Sequence, residues 1–111
     1  MIHSQNVVLL PYGAHWVAEF ARESGAVAAA LGNALIAIHH IGSTAVPGIH
    51  AKPIIDMLLV SPELSLLDER VSVLEAIGYE ALGEFGIPGR RYFRKNNSAG
   101  ERTHQIHAFR S

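Results

Sequence analysis

The sequence contains no cysteine. That removes disulfide frameworks and thiolate metal sites together, so any metal must be held by carboxylate, imidazole or carbonyl groups. Charge is also scarce. Charged residues make up 17% of the 111, and the net charge is -1 with histidine neutral, which supplies no global electrostatic basis for DNA or RNA as a partner. No apolar run approaches the roughly 20 residues of a membrane span. Residues 1–8 hold no basic stretch followed by an apolar core, so neither a secretory leader nor a membrane partner is expected. A reducing, cytoplasmic setting agrees with these absences.

What is present suits a folded core. Apolar residues reach 49%, enough to argue against disorder, and no repeat, low-complexity segment or linker divides the chain. A single domain over residues 1–111 is expected, because two halves would each have little interior.

His15 to Leu31 places Trp16, Val17, Phe20, Val27, Ala28 and Leu31 at helical spacing, with Gly32 and Asn33 as a stop, and predicts an amphipathic helix. Leu35 to Ile41 reads as a strand ending at Gly42. Residues Gly42 to Lys52 form a loop, and Ile54 to Val60 is so apolar that it predicts a strand buried on both faces. Its single charge is Asp56. A second helix is expected from Ser61 and Pro62 to Gly78, with Leu64, Leu67, Val71, Leu74 and Ile77 on its apolar side. Three extended segments follow, at Tyr79 to Phe85, Arg91 to Lys95 and Thr103 to Phe109, the last two joined by a hairpin turn over Asn96 to Gly100. This order predicts an α/β (α+β) fold, a mixed sheet with helices mainly on one face.

Gly42, Ser43 and Thr44 follow a strand, where glycine lets the chain approach a ligand and the next N–H and hydroxyl groups can point at phosphate oxygens. A plain turn would use the same residues. Asp56 in an apolar strand is costly unless it is paired, hydrogen-bonded or bound to a cation. It is a candidate catalytic and Mg²⁺-binding carboxylate, and a structural pair with Arg90 or Arg91 is the alternative. Arg90, Arg91, Arg94 and Lys95 make the only basic cluster. Strand alternation sets Arg91, Phe93 and Lys95 on one face and Arg90, Tyr92 and Arg94 on the other. These cations suit phosphate recognition or, equally, a solvated edge that discourages aggregation. In the last strand, Gln105 and His107 share a face and His104 takes the other.

The stretch from Ile38 through His39-His40-Ile41-Gly42-Ser43-Thr44-Ala45-Val46-Pro47-Gly48, continuing over Ala51-Lys52-Pro53-Ile54-Ile55-Asp56, resembles the signature of the GrpB family. Pro11-Tyr12, Trp16, Phe20, Gly78-Tyr79, Gly86 to Arg90 and Lys95 extend the likeness over nearly the whole chain. The resemblance implies a nucleotidyltransferase-like scaffold, and this family also occurs fused to some dephospho-CoA kinases. Taken with the residues themselves, it points to a phosphate site from Gly42, Ser43, Thr44, Arg90 and Lys95, with Lys52 added by its place in the loop before Asp56, and to a Mg²⁺ site at Asp56, which His107 could face by strand alternation. Family members continue beyond the last strand, so the chain resembles a version shortened at the C-terminus, whose exposed face would favour homo-oligomers.

One departure from the superfamily pattern bears on activity. Nucleotidyltransferases carry a second acid two residues after the first, where this chain has Leu58, and two-metal transfer depends on several carboxylates. Gln105 similarly stands where the family often has histidine. The expected function is therefore binding of a nucleotide or other phosphorylated small molecule, with Mg²⁺-dependent nucleotidyl or phosphoryl transfer as its enzymatic form. A non-catalytic accessory module, linked by the fused kinases to coenzyme A, is the alternative. A third reading, a metal-dependent hydrolase, would use Asp56 with His107 and His104 around Zn²⁺ or Mn²⁺.

Overall fold

The computed structural model describes residues 10–11, 14–45, 50–51 and 54–111. In chain order the elements are β1 (Leu10–Pro11), α1 (Ala14–Leu31), β2 (Ala37–Ile41), β3 (His50–Ala51), β4 (Ile55–Ser61), α2 (Leu64–Asp68), α3 (Val71–Ala76), β5 (Tyr79–Ala81), β6 (Arg91–Asn96) and β7 (Arg102–Arg110). Short 3₁₀ turns lie at Gly32–Ala34 and Ser43–Ala45. No helix among the described residues is long and apolar enough to cross a membrane.

The main sheet runs β2-β4-β7-β6-β5 and is mixed. β4 and β7 pair in parallel at its centre, while β2 with β4, β6 with β7 and β5 with β6 are antiparallel. β1 and β3 form a separate two-stranded ribbon. Period-two alternation then sorts the side chains of the central strands. Ile55, Met57 and Leu59 of β4, Ile106 and Ala108 of β7 and Phe93 of β6 meet Trp16, Val27 and Leu31 of α1, with Leu67 and Leu74 of α2 and α3, in one core. Asp56, Leu58 and Val60, with Gln105, His107 and Phe109, point the other way and stay half-buried.

This alternation departs from the expectation of a strand buried on both faces. β4 does lie inside the sheet between β2 and β7, but the helices among the described residues cover only one side. A run such as Ile-Asp-Met-Leu-Leu-Val reads as continuously apolar although only every second residue reaches the core. The single helix expected after Ser61 is likewise broken. The N–H of Arg70 donates to the Leu67 carbonyl and ends α2, and α3 restarts one residue later. Leu67 and Leu74, one on each side of the break, are both fully buried.

β5 is also shorter than expected, because Gly83 to Phe85 turn away, Phe85 at a positive φ of 48°. Residues 83–89 form a loop that folds over the end of β6. The turn over Asn96 to Gly100 joins β6 to β7 as expected, with the Asn97 side chain accepting from the N–H groups of Ala99 and Glu101.

Candidate functional site

The site is organised around Asp56, on the half-buried face of β4 beside the end of β2. Gly42 follows β2 with φ 78°, and a Cβ built there would lie 2.7 Å from Asp56 Oδ2. Only glycine satisfies both the left-handed backbone and this close approach. The chain then enters the turn at Ser43–Ala45, closed by the Ala45 N–H donating to the Gly42 carbonyl.

Asp56 pairs in register with Gln105 across the parallel β4 and β7 ladder. The Gln105 amide donates to Asp56 Oδ1 at 2.8 Å, and Tyr92 on β6 donates its hydroxyl to Gln105 Oε1 at 2.5 Å. A three-residue chain of hydrogen bonds therefore runs across three strands to one carboxylate.

His107 stands two residues along on the same face, with Nε2 3.9 Å from Asp56 Oδ1. Its Nδ1 lies 3.2 Å from Arg90 Nη1. A guanidinium has only donors, so Nδ1 accepts and the Nε2 proton is the one directed toward Asp56. Arg90, 7% exposed, also donates to the Glu84 and Phe85 carbonyls at 3.2 and 2.8 Å. Its guanidinium carbon lies 5.0 Å from the Tyr92 ring centre, and Phe85 stacks on the outer side of Tyr92 at 5.1 Å. Arg90 thus fixes the 83–89 loop to the sheet, and it touches Asp56 only through His107.

The remaining residues expected at the phosphate site are distributed differently. Thr44 is fully buried. Its hydroxyl donates to the Ile54 carbonyl at 3.2 Å and receives His40 Nε2–H at 2.9 Å, so it braces the loop. Phe20 of α1 stacks on that imidazole at 4.8 Å. Burial pushes His40 below its ordinary value, opposed by the charge of Asp56. Lys95 projects to the helix-covered face, where Nζ donates to Glu23 Oε2 at 2.6 Å and to the Ile77 carbonyl at 3.3 Å. Strand alternation separates it from Asp56. Lys52 and the Ser43 side chain lie outside the described residues.

The alternative pairing of Asp56 with an arginine is not what the geometry contains. Arg91 forms a two-pronged pair with Asp68, and Arg94 pairs with Glu80. Asp56 is bound by an amide and approached by an imidazole. Leu58, two residues on, shares its face, so no second acid of β4 stands beside it. Tyr92 was not legible as part of this site. Its signal was present in the alternation that sets it with Arg90, but aromatic residues on strands more often pack than donate.

A second polar cluster lies on the other side of the sheet. Glu19, Glu23 and His104 bring one ligand atom each within 4.8 Å of one another. Their signal in the sequence is that Glu23 interrupts the helical stripe Trp16, Phe20, Val27 and Leu31 at a core position.

Comparison with known proteins bears on the identity of this arrangement. The family model described as GrpB protein matches residues 6–111. The UPF0157 protein YqkA of Bacillus subtilis is 39% identical over 105 residues, which are 95% of this chain and 30% of that protein. The crystal structure of conserved protein GrpB from Enterococcus faecalis superposes with a TM-score of 0.87 at 41% identity, over 93% of this chain and 61% of that one. A dephospho-CoA kinase of Mycolicibacterium paratuberculosis is 35% identical over 79 residues, covering 68% of this chain and 19% of the kinase. The chain spans less than two thirds of the length of each of these proteins.

Proposed function

We propose that this chain, which belongs to the GrpB family, binds a nucleotide or a related phosphorylated small molecule on the Asp56 face of its sheet. The observation that carries the reading is the convergence on one partly exposed carboxylate of the Gly42 turn and the Tyr92–Gln105 hydrogen-bond chain. Such a carboxylate, held rigidly beside a glycine turn, is suited to Mg²⁺ shared with phosphate oxygens. Magnesium commonly takes one or two protein carboxylates and completes its shell with phosphates and water. Asp56 would hold that ion, which would neutralise phosphate charge. The Ser43 and Thr44 N–H groups and His107 Nε2–H would donate to phosphate oxygens, and Phe85, 56% exposed, offers an aromatic face to a base.

A second reading, a binding module without transfer activity, is favoured by two specific observations. Leu58 occupies the face position where a second metal-binding acid would project, and the Gln105 amide occupies Asp56 Oδ1. A two-metal displacement draws on several carboxylates, and β4 supplies one. The partial likeness to a dephospho-CoA kinase makes coenzyme A and its precursors the first compounds to test beside nucleoside triphosphates.

The deciding experiment is the melting temperature of the purified chain against these compounds, each with and without Mg²⁺, since a ligand bound only by the folded state raises it. A Mg²⁺-dependent rise that disappears in Asp56→Asn is expected. A folded protein stabilised by none of the compounds would overturn the proposal.

A further inference from the structure

The helix-covered face of the sheet holds a cluster that the proposed nucleotide site does not use. Glu19 and Glu23 lie one turn apart on α1, and His104 of β7 points between them. His104 Nδ1 is 2.8 Å from the Thr103 hydroxyl, which itself donates to the Lys95 carbonyl at 3.2 Å. When the hydroxyl gives its one proton to that carbonyl, it accepts from His104 Nδ1–H. In a neutral imidazole Nε2 then carries a lone pair. Yet Nε2 faces Glu19 Oε2 at 2.9 Å and Glu23 Oε1 at 3.9 Å.

In that tautomer three lone-pair atoms lie within 4.8 Å of one another, and a cation between them would satisfy all three, whereas the other tautomer donates Nε2–H to Glu19. A second proton on His104 would supply one. Burial works against that proton and holds the ring below its ordinary value; Glu23 opposes the shift and the charges of Lys95 and Arg22 add to it. The His104 and Glu23 side chains are 7% and 9% exposed, so water does not relieve the contact freely. The other carboxylate oxygens are already engaged, Glu19 Oε1 by Arg22 and Glu23 Oε2 by Lys95 and Tyr79. One oxygen of each acid is left directed inward.

We propose that Glu19 Oε2, Glu23 Oε1 and His104 Nε2 bind a divalent first-row transition ion. Around a tetrahedral Zn²⁺ with bonds near 2.0–2.2 Å, ligand atoms stand about 3.3 Å apart, and the two imidazole-to-carboxylate distances bracket that value. The imidazole favours Zn²⁺ over Mg²⁺. A cleft of about 580 Å³ lined by His15, Glu19, Arg22, Lys95, Asn96 and His104 adjoins the cluster, giving the ion a route in and a place for a water ligand. Arg22 and Lys95 oppose the charge of the ion but hold both carboxylates in position. Thr103 is a positioning residue, since its hydroxyl holds the ring at Nδ1 and, by accepting there, supports the tautomer that presents Nε2. Asp56 projects from the opposite face, so this site stands or falls separately from the nucleotide site.

The test is calorimetric titration of the metal-stripped full chain with Zn²⁺, with Co²⁺ absorption as a readout of coordination and ¹⁵N spectra of the imidazoles as a readout of protonation. One saturable equivalent is expected, unchanged in Asp56→Asn. Thr103→Val should weaken it about 10- to 100-fold. Glu19→Gln, at a partly exposed position where the fold should persist, should weaken it at least as much. His104→Gln should abolish it, with circular dichroism confirming the fold. Absence of saturable binding by folded wild type would overturn the proposal, as would binding that survives Glu19→Gln. So would spectra showing His104 protonated at both nitrogens with Zn²⁺ excluded, which would mark a buried ion pair only.

Discussion

Gly42 and Asp56 are in such close contact that a β-carbon on the glycine would sit 2.7 Å from one carboxylate oxygen and 3.2 Å from the aspartate β-carbon. With φ at 78°, Gly42→Ala suffers both a strained backbone and a collision. The expected cost is about 1–3 kcal/mol by chemical denaturation. Adding Asp56→Ala removes the shorter contact and leaves the backbone strain, so the double variant should recover part of the loss. Strict additivity of the two substitutions would show that the contact carries no energy.

The acid side of the stability profile should report His40. Burial, opposed by the Asp56 charge, holds its folded-state value below 6.5, so the unfolded chain binds this proton more readily. Its contribution is complete above about pH 6.5 and is lost as pH falls through the folded-state value. Melting temperatures between pH 8 and 5 should fall less steeply in His40→Gln, whose amide can still donate to Thr44. In Asp56→Asn they should fall more steeply, because the charge that favours the imidazolium is gone.

Arg90→Lys should loosen the 83–89 loop. A lysine ammonium cannot reproduce the planar fork that reaches the Glu84 and Phe85 carbonyls and His107 Nδ1 together, and the expected destabilisation is about 1–3 kcal/mol. Hydrogen exchange should accelerate at the Ile87 and Arg90 amides, which are bonded within this loop. Unchanged exchange there would mean that the loop holds itself closed without the guanidinium.

Leu58→Asp should place a second carboxylate on the face of Asp56. The position is half-buried and outside the main core, so a cost of about 1–2 kcal/mol is expected. Mn²⁺ binding at the Asp56 face should strengthen on the order of tenfold, as added ligand charge does at oxygen-donor sites. Paramagnetic broadening of Gln105 and His107 resonances would locate the ion there. Broadening confined to Glu19 and His104 would show that the new acid is not a ligand.

Much of this architecture was legible along the chain because its signals are local. α1 follows from the spacing of Trp16, Phe20, Val27 and Leu31. The hairpin between β6 and β7 follows from Asn96 to Gly100, and the opposition of His104 to Gln105 and His107 follows from strand alternation. The break at Arg70 was not legible, because the apolar spacing of Leu67 and Leu74 is compatible with either one continuous helix or two short ones. Which side of β4 would be left uncovered was equally hidden, since Leu58 and Val60 are as apolar as Met57 and Leu59.

Within the candidate site, the sequence by itself determined the ingredients: a glycine turn after a strand, one acid in an apolar run, and an imidazole two residues beyond a glutamine. Only tertiary structure decided how they combine. The parallel register of β4 and β7 sets Gln105 opposite Asp56, and β6 brings Tyr92 and Arg90 to the same face. The same alternation sends Lys95 across the sheet to Glu23 and gathers His104 with two acids of α1. Residues far apart in sequence meet through strand register and helix packing, and both are settled by burying one common core.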